Sequence, residues 1–478
     1  MAQSLLPLLT VGTALLLGAL APQAEAGRPA PPAERQRVLV LTDISNEPDD
    51  EESLVRFLVY SNEYDVEGLV ATTSTWLRER TREDLIRRQI DAYAQVRSRL
   101  LKHAPGFPEA DRLRAVTATG QGGFGMAAVG DGKSTPGSRR ILEAADRADR
   151  RPLWISVWGG ANTLAQALWD ARKSRSADEL KRLVGKLRVY AISDQDDAGP
   201  WLRREFPELF YIASPSDTGH QHYARATWTG ISGDLHYKNG PGHKIALVQP
   251  PWLEQHVIRG HGPLGALYPK PTVIMEGDTP SFLGLVNNGL GWHVSPSYGG
   301  WGGRYVFDTF PGETRPHWTN TNGASRDRVT ADDGKSYLSD QATIWRWREQ
   351  YQHDFAARMD WCVAEEYAEA NHNPVAVLNG DRTKRVLELR ARSGETVRLS
   401  SRGSRDPDGN QLRAAWLVYP EAGSYRGEVP LTQTEGERTA FTAPKVERPE
   451  TIHVILQLQD DGAPRLYSYR RAVVTVRP

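Results

Sequence analysis

The chain has 478 residues, with 59 basic and 59 acidic side chains that cancel to no formal net charge. That length is too great for one ordinary core and calls for two or more domains. The charge balance argues against a general nucleic-acid or acidic-membrane binder, which needs a basic excess to neutralise phosphates.

Residues 1–26 read as a secretory signal peptide, so the mature protein is expected to be secreted or periplasmic. Val11 to Leu20 is apolar but too short to span a bilayer, and Ala24-Glu25-Ala26 offers a small-x-small cleavage pattern, although no Lys or Arg precedes it. Residues 27–36, rich in Pro and Ala, read as a linker. Strand and helix patterns then alternate. Arg37–Thr42, Val66–Ala71, Leu153–Trp158, Leu187–Ile192, Leu209–Ile212 and Thr272–Met275 are short apolar runs suited to buried parallel strands. Helical patterns cover Glu51–Ser61, Glu83–Leu101, Asn162–Arg172 and a long stretch from Asp340 to Ala370, which holds the lone Cys362. Residues 37–372 are therefore expected to form an α/β domain with a mainly parallel sheet flanked by helices. Ligands of such folds sit beyond the carboxyl ends of the strands. After Asn373-Pro374 the segments Val375–Leu378, Val386–Ala391, Thr396–Ser400, Leu412–Val418, Thr439–Thr442, Ile452–Asp460 and Tyr467–Val476 are short and alternating. They predict an immunoglobulin-like all-β sandwich over residues 373–478. No segment after the first 26 residues is apolar for long enough to cross a membrane.

The most informative segment is Thr42-Asp43-Ile44-Ser45-Asn46-Glu47-Pro48-Asp49-Asp50, between the first strand and its helix. Asp49 and Asp50 fall in the first helical turn, where free N–H groups and the helix dipole favour anions. Three aspartates converging at a strand end repel one another unless a cation joins them. Several hard oxygen ligands point to Ca2+. Helix capping is the simpler account of Asp49 or Asp50, but it explains Asp43 less well.

This segment resembles the aspartate-rich first-strand motif of nucleoside hydrolases. Val70-Ala71-Thr72-Thr73-Ser74 resembles that fold's second active-site loop, with Thr73 in it. Trp158-Gly159-Gly160-Ala161-Asn162-Thr163-Leu164-Ala165 is similar to the segment that lends the metal a backbone carbonyl, and Glu276-Gly277-Asp278-Thr279-Pro280 to a late acidic motif. The resemblance implies a Ca2+ site formed by Asp43, Asp50, Asp278 and the Asn162 carbonyl. It implies Asp49 as the contact to a sugar hydroxyl, and Glu47 is the candidate base. The longer strings TDISNEPDDEESLVRFLVYSNEYDVEGLVATTSTW, ISDQDDAGPWLRREFPELFYI and EGDTPSFLGLVNNGL resemble a secreted bacterial family described as cellulose-binding. That family has a nucleoside-hydrolase-like domain and a C-terminal β-domain. One departure matters: Ser45 stands where nucleoside hydrolases place a second Asp, and a neutral hydroxyl is a poor base and a weak calcium ligand.

Further candidates follow from chemistry that suits sugars. Asp194, Gln195 and Asp196 beside Trp201 offer hydrogen bonds at a ring edge and stacking on its face, though acidic helix capping explains the carboxylates nearly as well. Glu276 joins them from the late acidic motif. Trp301 and Arg304, in a Gly-rich stretch, suit a lid or a stacking platform. His220, His222, His236, His243, His256 and His261 lack the spacing of a zinc site and read as loop histidines. Three functions remain open. The first is a calcium-dependent hydrolase of N- or O-glycosidic bonds, and the second is a non-catalytic cellulose or polysaccharide binder on the same scaffold. Both take a carbohydrate as partner. The third and weaker is nucleoside salvage outside the cytoplasm.

Overall fold

In the computed structural model the described residues are Met1 and 35–478, except Asn46, 215–222, 239–242, Pro311 and 321–323. The signal-peptide expectation, most of the linker, His220 and His222 lie outside them.

The first strand sets the pattern. In β1 (Gln36–Thr42) the side chains alternate between two fully buried faces: Val38 and Val40 enter one core, Leu39 and Leu41 the other. A strand apolar on both faces belongs at the centre of a sheet covered on both sides. It pairs in parallel with β2 (Tyr64–Ala71) and β4 (Leu153–Val157). With β3 (Thr117–Thr119), β5 (Leu187–Ala191), β6 (Phe210–Ala213), β7 (Val306–Asp308) and β8 (His317–Thr319) the sheet runs β3-β2-β1-β4-β5-β6-β8-β7. Only β7 is antiparallel to its neighbour, the usual arrangement for an edge strand added to a parallel sheet.

Helices cover both faces. Helices α1 (Pro48–Val59) and α2 (Glu83–His103) bury Phe57, Leu58, Ile90 and Tyr93 in one core. The short α3 (Ala110–Ala115) adds Leu113. The opposite core takes Ile141 of α4 (Pro136–Asp146), Leu164 and Leu168 of α5 (Asn162–Ser174), Leu183 of α6 (Ala177–Lys186) and Leu202 of α7 (Ala198–Glu205). Helix α6 starts with a capping box, Ser176 and Glu179 satisfying each other's backbone N–H.

Two sequence expectations change. Thr272–Met275 is not a strand. Ile274 and Met275 are buried, but Ser232 bonds both the N–H and the carbonyl of Met275, and β8 takes the place beside β6. The long helix from Asp340 to Ala370 breaks into Ala342–Trp345, α8 (Arg348–Trp361) and a short turn at Tyr367–Glu369.

A β-rich region follows. The hairpin β9 (Asp327–Thr330) and β10 (Ser336–Ser339) precedes α8. Beyond it, β11 (Leu387–Arg392), β16 (Tyr467–Arg477), β15 (Glu450–Gln459) and β13 (Arg413–Val418) form one sheet in that order. β12 (Thr396–Ser400) and β14 (Arg438–Thr442) form a second. Leu399 and Phe441 of the pair meet Trp416, Leu456 and Val474 of the larger sheet in a shared core, so the two pack as a sandwich. Val375 and Leu378 make only isolated bridges, not the expected strand. The outer face of the larger sheet turns Ile455, Tyr467 and Tyr469 into the core of the α/β part. Arg471 on that face donates to the carbonyls of Leu290 and Gly299. Among the described residues no helix is long and apolar enough to cross a membrane.

Candidate functional site

The strand ends are stitched together beyond the sheet. Trp158 N–H bonds Leu41 C=O, Thr72 N–H bonds Thr42 C=O, and Gly160 N–H bonds Thr73 C=O. These bonds hold three loops side by side at the carboxyl edge. The residues that leave those loops meet the first turn of α1. Pro48 opens that helix, and Asp49, Asp50 and Glu51 occupy its first turn.

Carboxylate oxygens of Asp49, Asp50 and Asp278 lie within 4.8 Å of one another. Asp50 accepts from the Thr42 hydroxyl, and Asp43 from the Ser74 hydroxyl. Asp43 stands against Gly159, where a Cβ would fall 2.6 Å from its Oδ1, so only glycine allows the β4–α5 loop to come so close. Burial raises the pKa of Asp43, though the Ser74 hydrogen bond opposes it. Burial also holds Asp49, Asp50 and Asp278 well above the usual carboxylate range, and each is pushed further by its neighbours' charges. Asp43 Oδ1, Asp49 Oδ1 and Asp278 Oδ2 are buried without a hydrogen-bond partner among the described residues. Carboxylates packed this way stay ionised together only if a cation joins them. The donors are all oxygens, so the set fits a hard divalent cation of the calcium class and does not suit zinc.

A small pocket opens over Asp49 and Asp278. Glu47 and Gln195 line it with Trp76, Tyr223, Trp228 and Tyr237. The sequence reading did not single out those four aromatic residues; Ser74 closes the loop segment it likened to a second active-site loop, without a role of its own. Trp76 follows that loop after β2 at the carboxyl edge, so its position in the fold could have marked it. Tyr223, Trp228 and Tyr237 sit in an irregular stretch whose sequence carries no periodic signal.

The other candidates divide between the pocket and the framework. Gln195 belongs to the pocket: its Nε2 donates to Trp158 C=O at 2.6 Å, and its Oε1 is buried without a partner. Thr73 and Asn162 are bonded to each other at 3.1 Å, and both reach Gly123 C=O. Asn162 is the first residue of α5, so its carbonyl is one of the helix's own acceptors. Gly159, rather than Asn162, comes up against Asp43.

Five expected sugar contacts are corrected by what surrounds them. Asp194 is buried in an ion pair with Arg203 at 2.6 Å. Trp201 lies on α7 against Trp169 and Phe206, with Arg172 over its ring. Glu276, fully buried at a positive φ, is paired with Arg56 and accepts from Tyr268. Trp301 is packed between Tyr351 and Tyr469. Arg304 is held by Asp327 at 2.7 Å. Asp196 is also committed: it accepts from the N–H groups of Asn162 and Ala198, joining the starts of α5 and α7. Burial still pushes its carboxyl up to about 7. His236, His243, His256 and His261 do not line the pocket; His243 faces Asp332 and His261 faces Asp360.

Residues 37–305 match the family model described as cellulose-binding Sde182, nucleoside hydrolase-like domain. Residues 396–476 match the C-terminal domain of cellulose-binding protein Sde0182. A solved structure of a nucleoside hydrolase-related hypothetical protein from Saccharophagus degradans, described as associated with carbohydrate metabolism, is 38% identical with a TM-score of 0.80. The match covers 93% of this chain and 100% of that one. The effector protein XOO4466 aligns over 70% of this chain and 96% of its own at 12% identity, with a TM-score of 0.31, too low to bear on the fold. No curated protein matches the chain. With both of the family's regions present in order, the chain belongs to the Sde182 family of nucleoside hydrolase-like proteins.

Proposed function

We propose that this protein binds carbohydrate in the pocket at the carboxyl edge of its sheet and hydrolyses a glycosyl bond there in a calcium-dependent way. The observation that carries the reading is the buried cluster Asp43, Asp49, Asp50 and Asp278, with orphaned oxygens under a pocket walled by aromatic rings. Asp43, Asp50 and Asp278 would hold the ion. A bound calcium would offset the repulsion among these carboxylates and polarise an oxygen in contact with it. Asp49, on both the cluster and the pocket, is placed to accept from a sugar hydroxyl. Glu47, at the pocket wall, is the candidate to take a proton from water. Trp76, Trp228, Tyr223 and Tyr237 would exclude water and pack on a sugar ring.

Ser45 supports a second reading. It replaces a carboxylate with a hydroxyl that has no partner among the described residues, at a φ of 108°. A site lacking its base would bind a glycan without cleaving it, in line with the name of the family. The Val11–Leu20 stretch and Ala24-Glu25-Ala26 support export, which favours extracellular glycans over cytoplasmic nucleosides as ligands.

A hydrolysis screen of cello- and xylo-oligosaccharides, aryl glycosides and nucleosides, with calcium and with chelator, separates the two. Calcium-dependent release of sugar that Glu47→Gln abolishes supports the hydrolase. Saturable glycan binding without turnover of any substrate replaces it with the binding role.

A further inference from the structure

We infer that Arg56 and Glu276 are a positioning pair: locked to each other, they hold the turn that carries Asp278 against the face of α1 that carries Asp49. This rests on the calcium reading above.

Asp49, Glu52, Ser53 and Arg56 follow one another at i, i+3, i+4 and i+7, so they form one stripe along α1. All four are buried, and the stripe is polar from end to end, where a helix face turned to a core is ordinarily apolar. Residues 276–279 lie along it. Glu276 N–H donates to Glu52 Oε2 at 2.8 Å, and Thr279 Oγ1 lies 3.1 Å from Ser53 Oγ. Arg56 Nη2 donates to Glu276 Oε1 at 3.1 Å within a fully buried ion pair. At the top of the stripe Gly277 comes up against Asp49, where a Cβ would fall 2.7 Å from Oδ2.

The backbone of this turn needs holding. Glu276 sits at a φ of 54°, in the left-handed region that a residue with a Cβ keeps only where its surroundings impose it. Its own carboxylate supplies the hold. Oε1 accepts from Arg56 and from the Tyr268 hydroxyl at 2.8 Å, and Oε2 accepts from the Thr279 hydroxyl at 2.8 Å. With Glu276 pinned, Asp278 two residues on brings its carboxylate within 4.8 Å of those of Asp49 and Asp50. Arg56 is braced from its far side by α8. It donates to Tyr351 C=O at 3.1 Å and to the Gln352 side chain, and its guanidinium lies 4.0 Å from the centre of the Phe355 ring. The desolvation of a buried ion pair offsets most of its attraction, so apolar side chains would hold α1 in place as well. Directed bonds are what fix the conformation of the turn.

Calcium titration calorimetry on the full chain, beside urea unfolding of the metal-free protein, tests this with Arg56→Met and Thr279→Val. Removing a cation near an acidic cluster would by charge alone strengthen calcium binding. Loss of positioning has the opposite sign, and Arg56→Met should bind calcium at least about tenfold more weakly. Thr279→Val keeps shape and charge and loses one bond to Glu276; about threefold weaker binding is expected. That variant carries the test if an unpaired Glu276 keeps Arg56→Met from folding. Trp201→Ala, which weakens the fold away from the site, should bind calcium as the wild type does. Affinity equal to or above that of the wild type in either folded variant, whatever its urea midpoint, makes the pair a stabilising one only and overturns the inference. So does an equal loss of affinity in Trp201→Ala. Both outcomes leave the calcium reading intact. A wild-type chain that binds no calcium overturns that reading, and the inference with it.

Discussion

Burial and the charges of Asp43, Asp49, Glu47 and Asp278 oppose ionisation of Asp50, and the Thr42 hydroxyl donates to it. Asp50→Asn removes a ligand charge while keeping shape, and calcium affinity should fall by about a hundredfold, or about 2.7 kcal/mol, in a calorimetric titration. The raised carboxyls also fix the pH dependence. In the metal-free protein they hold protons at pH values where ordinary aspartates have lost them, and calcium must displace those protons. Apparent calcium affinity should therefore rise with pH, by up to about tenfold per unit for each displaced proton. A flat profile would mean that the cluster is already ionised without the metal. Trp201 gives the opposite expectation: packed on Trp169 and Phe206 away from the pocket, its Ala variant should lower stability and leave sugar affinity unchanged.

Two short loops, one after β1 and one after β4, do most of the positioning. Gly159→Ala would drive a methyl group into Asp43 Oδ1, so the loop or the carboxylate must move. A stability loss of about 1–3 kcal/mol, measured by urea unfolding, should accompany weaker calcium binding. Much of this level was legible in the sequence. The apolar run of β1, both faces of which are buried, and the acidic turn after it fixed where the site lies. Strands β2, β4, β5 and β6 and helices α1, α2 and α5 follow the predicted runs to within a few residues. The rest was hidden for physical reasons. Ile274 and Met275 read as a strand because they are apolar, but a Ser232 side chain satisfies the backbone of Met275 where a neighbouring strand would have done so. β8, only three residues long, carries too little pattern to be seen. Asp194, Glu276 and Arg304 looked available because sequence shows a charge without its partner. Arg203 on the next helix neutralises Asp194, and Arg56 and Asp327, from further away along the chain, neutralise Glu276 and Arg304.

Across the whole molecule the β-sandwich is bound to the α/β part through buried polar contacts as well as apolar ones. Tyr419 donates to Asp327, which also holds Arg304 and Arg346, and Arg471 caps the Leu290 and Gly299 carbonyls. Acid should also destabilise the fold through buried histidines. Burial, with Arg471 nearby, lowers His453 to about 3, and burial, with Arg203 nearby, lowers His317 to about 3. Their unfolded value is 6.5, so between that pH and about 3 the unfolded chain binds the extra protons and stability falls as pH falls. Each group contributes up to about 1.4 kcal/mol per pH unit in that window. Urea midpoints should therefore drop from pH 7 to pH 5, and His317→Gln should drop less than the wild type; an equal drop would remove His317 from the account. The acidic cluster lies buried at the carboxyl edge of the sheet, and calcium binding there is what the proposed function requires. Titration calorimetry of the full chain with calcium, beside the Asp50→Asn variant, tests it most directly. One ion bound per chain, with affinity lost in the variant, is the predicted result. No binding, or binding that the variant leaves unchanged, would contradict it.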